Sequence, residues 1–359
     1  MKRALRIVHL ISPLKLYGKE QWLLALLKHI EREEFHCSVV MIAGEARPPL
    51  SERLEREGVD YAIVPFDLPA AHRSIRDISA IVAERGAGVI HSHDYRADIV
   101  GYFAARRARA RIVSTPHGWS NAPDIKLQAY QAFNRLLLPF FDRVVPLSPR
   151  LYQEMKWYCR GNLRMIHNFV DLSSLPEPRV SEAPLVSFVG RLIRLKRVQD
   201  AVTALRFTAD PSIRLQIIGD GPCRGRLEEL AGRLGLGERI DFTGFREDAA
   251  ELLNRSAALV LPSLTEGISR VAMEAMALGK PVIGTDIPGV RILVEDGRTG
   301  MLVPKKDPRA IARALDRLFS DRDLYRAMSD AAREHIIRKH AADVMVREYE
   351  ALYRDMVGD

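Results

Sequence analysis

Short apolar runs rich in β-branched residues alternate along the chain with stretches whose apolar positions recur at helical spacing. LRIVHLI reads as a strand, and EQWLLALLKHI after it as a helix. HCSVVMIAG, DYAIVPF, GVIHSHD, RIVSTPHG and RVVPLS continue the series, most with a helical pattern between them. Continuous runs that return through a helix predict parallel strands buried on both faces. The pattern breaks over residues 169–184, FVDLSSLPEPRVSEAP, where three prolines and three serines predict a linker. A second series follows with LVSFVG, RLQIIGD, RIDFTGF, ALVLPS, PVIGTD and GMLVP, and helices are predicted over residues 222–235, 269–278 and 308–319. The expected fold is α/β: two facing, doubly wound, Rossmann-like domains over residues 1–170 and 185–359, joined by a linker at 171–184, with the last helix able to pack back on the first domain. Ligands of such sheets sit beyond the carboxyl ends of the strands, so the cleft between the domains is the expected site.

The totals agree with this picture. A chain of 359 residues is too long for one ordinary core, and 47% hydrophobic against 28% charged residues is the balance of a soluble globular protein. No apolar run approaches the length of a membrane span. MKRALRIVHLISPLKLYGKE places basic residues before an apolar run, but His9, Pro13 and Lys15 interrupt it, which predicts a first strand rather than a leader. Three widely spaced cysteines (Cys37, Cys159, Cys223) predict a reducing, cytoplasmic setting without a disulfide framework.

Charge changes the picture once it is located. Residues 1–170 hold 25 Lys+Arg against 17 Asp+Glu, whereas residues 171–359 hold 29 of each, so the whole net charge of +8 lies in the first half. YFAARRARARIV sets Arg106, Arg107, Arg109 and Arg111 within six positions without an acid. FNRLLLPFFDRVV adds leucines and phenylalanines downstream, most of them expected in the core. This points to loose attraction of the first domain to an anionic membrane surface, peripheral to the cytoplasm, and not to nucleic acid.

Candidate chemistry gathers at predicted strand ends. EGISRVAMEA sets Glu266 and Glu274 eight positions apart; on an uninterrupted helix they would end about 80° and about 12 Å apart. Gly267 favours placing Glu266 on the turn before the helix, with Ser269 near its start. Such a layout suits a long polar ligand with two hydroxyl-bearing ends; the alternative is an amphipathic helix with one solvated Glu. FVGRLIRLKR ends a strand with Gly190 and then places Arg191 and Lys196, a fork and a point charge suited to phosphate. In IIGDGPCRG, Gly219 and Gly221 admit a nucleotide against the backbone, although glycine runs after strands are weak signals. STPHGW ends a first-half strand with His117, a catalytic candidate if it faces the cleft. The histidines of HSHD are expected on opposite faces of their strand, which sets a metal there aside. No Mg²⁺ or Mn²⁺ ligands for a diphosphate are expected, so its charge falls to Arg191, Lys196 and helix N-terminal amides.

Taken together, these segments resemble the retaining glycosyltransferases of GT-B fold, and family 4 in particular. The match runs over nearly the whole chain and is strongest over residues 185–305. The E-x7-E motif is Glu266 and Glu274, and the G-R-x4-K motif is Gly190, Arg191 and Lys196; GDGP, FTGF, LPS and EDGRTGMLVP follow in family order. YGKEQWLLALL resembles the glycine loop, STPHG the active-site histidine segment, and HNFVDL the segment before the linker. The resemblance implies that Arg191 and Lys196 neutralise a nucleotide diphosphate, Glu266 contacts hydroxyls of the donor sugar, and Glu274 binds the ribose. It also implies that His117 lies near the sugar, that the amides after Gly267 (Ile268, Ser269) add hydrogen bonds, that Gly18 lets its loop close over the phosphates, and that Phe245 adjoins the donor. Tyr95 and Trp119 are the implied acceptor contacts.

The implied activity is transfer of a hexose from a UDP- or GDP-linked donor to a surface-glycan or lipid-linked acceptor, with no cofactor and no metal. Two departures stand out: Tyr17-Gly18 replaces the usual glycine pair, and Ser269 and Arg270 stand where glycine and an apolar residue are usual. A nucleotide-sugar epimerase on the same fold, or a non-enzymatic sugar-nucleotide binder, are the alternatives.

Overall fold

The computed structural model describes residues 4–13, 18–44, 47–66, 71–119, 124–181 and 183–358; Tyr17 lies outside them. Two compact units divide the chain, one of Met1–Asn168 with Ala342–Asp359 and the other of Phe169–Ala341.

In the first unit six strands, β1 Leu5–Ile11, β2 Phe35–Ala43, β3 Tyr61–Pro65, β4 Val89–Ser92, β5 Arg111–Ser114 and β6 Arg143–Val144, lie in the order β3-β2-β1-β4-β5-β6. In the second, β7 Leu185–Val189, β8 Arg214–Ile218, β9 Ile240–Gly244, β10 Ala258–Leu261, β11 Val282–Thr285 and β12 Gly300–Val303 take the order β12-β11-β10-β7-β8-β9. All recorded pairings between these strands are parallel. The α/β prediction is thus met by two doubly wound sheets. Each reverses its strand order beside its first strand, between β1 and β4 and between β7 and β10, and this is where loops part to leave a crevice.

Both sheets are buried on two sides, which is why their strands are continuously apolar rather than alternating. In the first unit Val8, Leu10, Val40, Ile42 and Ile90 pack with Ile78, Val82, Ala97, Val100 and Ala104 of the Ala71–Glu84 and Tyr95–Ala108 helices. In the second, Val186, Phe188, Leu215, Ile217 and Val260 form one core with the Val198–Ala204 and Pro308–Ser320 helices. Leu259, Leu261 and Val282 form another with the Arg270–Ala277 and Arg322–Lys339 helices.

The proline-rich stretch after Asn168 is tied to the second unit. Val170 N donates to His340 O (3.0 Å), Arg179 N to Asn254 Oδ1 (3.0 Å), and the buried ammonium of Lys280 to Arg179 O. The prolines remove donors, and the remaining polar groups named here are met within the unit, by the backbone of His340 and by the side chains of Asn254 and Lys280.

Candidate functional site

In the second unit the candidate residues lie at the carboxyl edge of the sheet. Gly190 and Arg191 follow β7, Gly219 and Gly221 follow β8, Phe245 follows β9, and Glu266 to Ser269 follow β10. The loops after β7 and β10 flank the reversal point and are bound together there. Leu264 N donates to Leu195 O (2.9 Å), and Lys196 Nζ donates to Glu266 Oε1 (2.5 Å). Lys196 closes a 3₁₀ turn, Arg194–Lys196, and the next residue, Arg197, is left-handed (φ 51°) and held by a two-point bond to Asp200 of 2.8 and 2.6 Å. That clamp fixes where the lysine emerges. Arg191 is exposed, as its proposed partner requires.

Glycines in this region make close packing possible. Gly219 has φ 142°, and a Cβ on it would stand 2.0 Å from Gly190 O. On Gly221 (φ 157°) a Cβ would stand 2.6 Å from Leu192 O. These two glycines therefore let the β7 and β8 loops touch, a role that sequence alone did not separate from ligand approach. Gly289 does the same for the Glu266–Gly267 backbone, 2.0 Å from Gly267 O.

The helix after Glu266 begins later than an uninterrupted reading of EGISRVAMEA requires. It runs Arg270–Ala277, with Ser269 as N-cap accepting from Ala272 N (3.4 Å). Glu266 stands on the turn before it, Ile268 is buried, and Glu274 lies one turn in, accepting from Arg270 Nε at 2.7 Å. Each acid of the E-x7-E pair thus carries its own cation, Lys196 for Glu266 and Arg270 for Glu274. Phe245 is exposed.

In the first unit His117 follows β5, Gly18 opens the Gly18–His29 helix, and Tyr95 opens the Tyr95–Ala108 helix. Lys19 and Asp94, missed in the sequence, organise this edge. Asp94 caps its helix by accepting from Arg96 N and Ala97 N (both 3.1 Å), and its other oxygen accepts from Ser12 N (2.8 Å) and Lys19 Nζ (2.7 Å). Lys19 Nζ also donates to Ser12 O (2.7 Å). The signal was present: an Asp before a helical pattern, and a Lys after the glycine of the first loop. Burial first, and then Lys19, push the pKa of His117 down to about 3, so it acts as a neutral imidazole. Its ring meets Trp22 edge to face at 5.3 Å. Trp119 lies under Arg135, 4.7 Å from the ring centre, and Tyr95 beside Tyr130, 6.0 Å between centroids. A cavity of about 260 Å³ opens near the ends of β1, β2 and β3, lined by Ser12, Arg47, Phe66 and Arg96 among others.

Two expectations are corrected. His91 and His93 do not point to opposite faces, because residues two apart on a strand share a face. Their rings lie 4.2 Å apart, and His9, in register with His91 on β1, joins them. Ring nitrogens of the three lie within 4.8 Å of one another; four of the six are hydrogen-bonded, His9 Nδ1 with His93 Nε2 (3.0 Å) and His91 with Tyr353 (2.6 Å) and Thr115 (2.7 Å), while His9 Nε2 and His93 Nδ1 are buried without a hydrogen-bond partner among the described residues. Burial depresses the basicity of all three, giving a neutral network under the site edge. The expectation of no diphosphate-metal ligands also overlooked one Asp-x-Asp, Asp321-Arg322-Asp323. Asp321 is a helix cap, accepting from Leu324 N (2.9 Å).

Comparison with known proteins places these features in a common frame. Residues 175–335 match the family model described as Glycosyl transferases group 1, and residues 17–174 that of Glycosyltransferase Family 4. The N-acetyl-alpha-D-glucosaminyl L-malate synthase of Bacillus anthracis is 28% identical over 82% of this chain and 81% of its own length. The lipopolysaccharide core biosynthesis glycosyltransferase LpsE of Rhizobium meliloti is 28% identical over 53% of this chain and 57% of its own. The crystal structure of Anabaena HepE in complex with UDP superposes with a TM-score of 0.83, at 20% identity, over 98% of this chain and all of that one.

Proposed function

Since the chain is a glycosyltransferase of the GT-B fold that resembles family 4, we propose that it transfers a hexose from a nucleoside diphosphate sugar, with retention of configuration, to a surface-glycan or lipid-linked acceptor. The observation that carries this reading is the Lys196–Glu266 pair at the reversal point of the second sheet, with exposed Arg191 on the same loop. Leaving-group departure builds negative charge on the diphosphate, and cations placed in advance stabilise it without reorganisation. Lys196 is held by Glu266, so the same carboxylate that would meet the sugar hydroxyls also aims the lysine at the phosphate. Glu274, held by Arg270, would meet the ribose. His117, neutral, accepts or donates a hydrogen bond at the sugar without adding charge. The acceptor proton passes to the departing diphosphate oxygen on the same face, so no enzymic base is required.

UDP is the favoured nucleotide because the superposable Anabaena protein was crystallised with it. A carbohydrate acceptor of the cell envelope is favoured by the role named for the Rhizobium relative, and an anionic one by the malate in the name of the Bacillus relative. Arg96 in the first-unit cavity suits a carboxylate or phosphate on such an acceptor. The named relatives are transferases or synthases, so an epimerase is not favoured. Incubation with single UDP- and GDP-sugars tests the reading: slow release of nucleotide and free sugar is expected, and its absence with every donor, or an epimerised donor, would overturn it.

A further inference from the structure

The helix Ile125–Leu137 is amphipathic in the reverse sense. Its buried residues are Gln131, Asn134 and Leu137, while Ile125 (86%), Leu136 (69%) and Phe133 (43%) are exposed. Phe140, one turn on in the 3₁₀ segment Leu138–Phe140, is 59% exposed. Positions 133, 136 and 140 recur at helical spacing, so these side chains form one stripe. The inversion has a local cause. Asp98 is buried in the neighbouring Tyr95–Ala108 helix, its pKa raised to about 6 by burial, and Asn134 Nδ2 reaches it at 2.8 Å with Ser92 Oγ at 2.6 Å. The polar side of the later helix must face this carboxylate, which turns its apolar side to solvent. Leu136 and Phe140 are therefore outside, not in the core where FNRLLLPFF was expected to lie.

An exposed apolar stripe of this kind calls for a partner, and its surroundings identify the partner by charge. Arg106 lies over the Tyr102 ring (5.3 Å) and donates to Phe140 O (3.3 Å), which brings the basic end of the Tyr95–Ala108 helix against the stripe. Residues 101–150 contain eight Lys+Arg and two acids, Asp124 and Asp142. Asp124 caps the exposed helix, and Asp142 is bound to Arg111. Among the described residues Arg106, Arg107, Arg109, Lys126 and Arg135 form no ion pair. Apolar side chains beside unpaired cations fit a surface that is apolar within and anionic at its rim.

We propose that this face docks on an anionic phospholipid bilayer, with Phe133, Leu136 and Phe140 entering the headgroup boundary and the neighbouring arginines meeting lipid phosphates. The proposal deepens the transferase reading, since a lipid-linked acceptor would be met at that surface, but its test is separate. Purified protein is sedimented with vesicles of phosphatidylcholine containing phosphatidylglycerol, and with phosphatidylcholine alone. Roughly tenfold stronger pelleting is expected with the anionic vesicles. It should weaken in 1 M salt, where the Debye length is about 3 Å. Leu136→Gln with Phe140→Gln, and separately Arg106→Gln with Arg107→Gln, should each reduce pelleting several-fold at unchanged melting temperature, because all four side chains stand at the surface.

Three results would overturn the proposal: no pelleting with anionic vesicles, equal pelleting of the Leu136/Phe140 double variant, or a wild-type dimer that this variant dissociates while lipid binding is absent. The last would make the face a contact between copies. Nucleotide release from a sugar donor without vesicles, measured on the same variants, should be unchanged, which separates failure of the docking face from failure of the transferase reading.

Discussion

Lys196 reaches Glu266 at 2.5 Å across the place where the second sheet reverses its strand order, joining residues 70 positions apart on the two loops that flank the crevice. The side chain of Glu266 is nearly buried, so the lysine holds this carboxylate, and on the proposed reading it would also meet the phosphate.

Arg191→Ala and Lys196→Ala should differ because of it. Each should lower turnover by the equivalent of roughly 2–4 kcal/mol, the scale of losing one transition-state donor. Only Lys196→Ala should also lower folding stability, by about 1–3 kcal/mol, because it leaves Glu266 unpaired. Turnover assays and urea denaturation of both variants check this; wild-type turnover by folded Arg191→Ala would remove it from the site.

The two glutamates should separate by ligand. Glu266→Gln should impair transfer and leave binding of free nucleoside diphosphate nearly intact, whereas Glu274→Gln should weaken the free nucleotide too. Arg270→Ala should resemble Glu274→Gln in kind but be milder, since it removes only the group that holds Glu274. Calorimetric titration with UDP and GDP distinguishes the three, and equal losses for both Gln variants would refute the two-ended arrangement.

The product should keep the anomeric configuration of the donor, and turnover should survive EDTA. NMR of the product in the presence and absence of chelator reads both. Asp321→Ala should cost stability as a lost helix cap, about 1 kcal/mol, without changing turnover.

Acid should destabilise the first unit well before carboxylates normally titrate. His9 and His117 are pushed down to about 3 by burial, and His91 and His93 lie well below the ordinary value for the same reason. Below about pH 6.5 the unfolded chain takes up protons that these folded histidines refuse, so stability falls with pH, by up to about 1.4 kcal/mol per unit for each. Asp98, raised to about 6, works in the opposite sense between its folded and unfolded values and offsets roughly one histidine. Melting temperature should therefore drop steadily from pH 7 to pH 5; a flat profile would contradict the neutral network.

Two glycines of one motif should behave oppositely. Gly219→Ala drives a methyl into the Gly190 carbonyl from a backbone that L-residues avoid and should cost at least about 2 kcal/mol. Gly225→Ala, within the Arg224–Arg233 helix and with open space around it, should be neutral or stabilising by up to about 1 kcal/mol. Chemical denaturation of both variants tests the contrast.

Most of the strands were legible in the sequence because a parallel sheet covered on both sides writes itself as β-branched runs, and LRIVHLI matches β1 residue for residue. RVVPLS shortened to Arg143–Val144 because Pro146 follows it and cannot donate to a neighbour. That Gly190, Arg191, Lys196 and Glu266 share one edge of the sheet was legible because strand ends in such folds converge. What stayed hidden depended on partners distant in sequence. Glu266 has its cation 70 positions away, and Lys19 finds Asp94 75 positions away. The sense of the Ile125–Leu137 helix was hidden for the same reason: periodicity gives two faces, but the buried Asp98 decides which one turns inward.

The first unit is closed by residues that come last. Tyr349 and Tyr353 of the Ala342–Gly358 helix are fully buried; Tyr349 meets Trp22 edge to face at 5.2 Å and stacks on His91 at 5.8 Å, and Tyr353 bonds His91, 262 positions earlier. During synthesis at about 5–20 residues per second, Met1–Asn168 would thus wait roughly ten to thirty-five seconds while Phe169–Ala341 is made. Through that interval the imidazoles of His9 and His91 and the indole of Trp22 face water rather than tyrosine. The sheet is by then complete in its six strands but open on one side, and a ribosome-bound chaperone would be expected to shield it until the Ala342–Gly358 helix arrives.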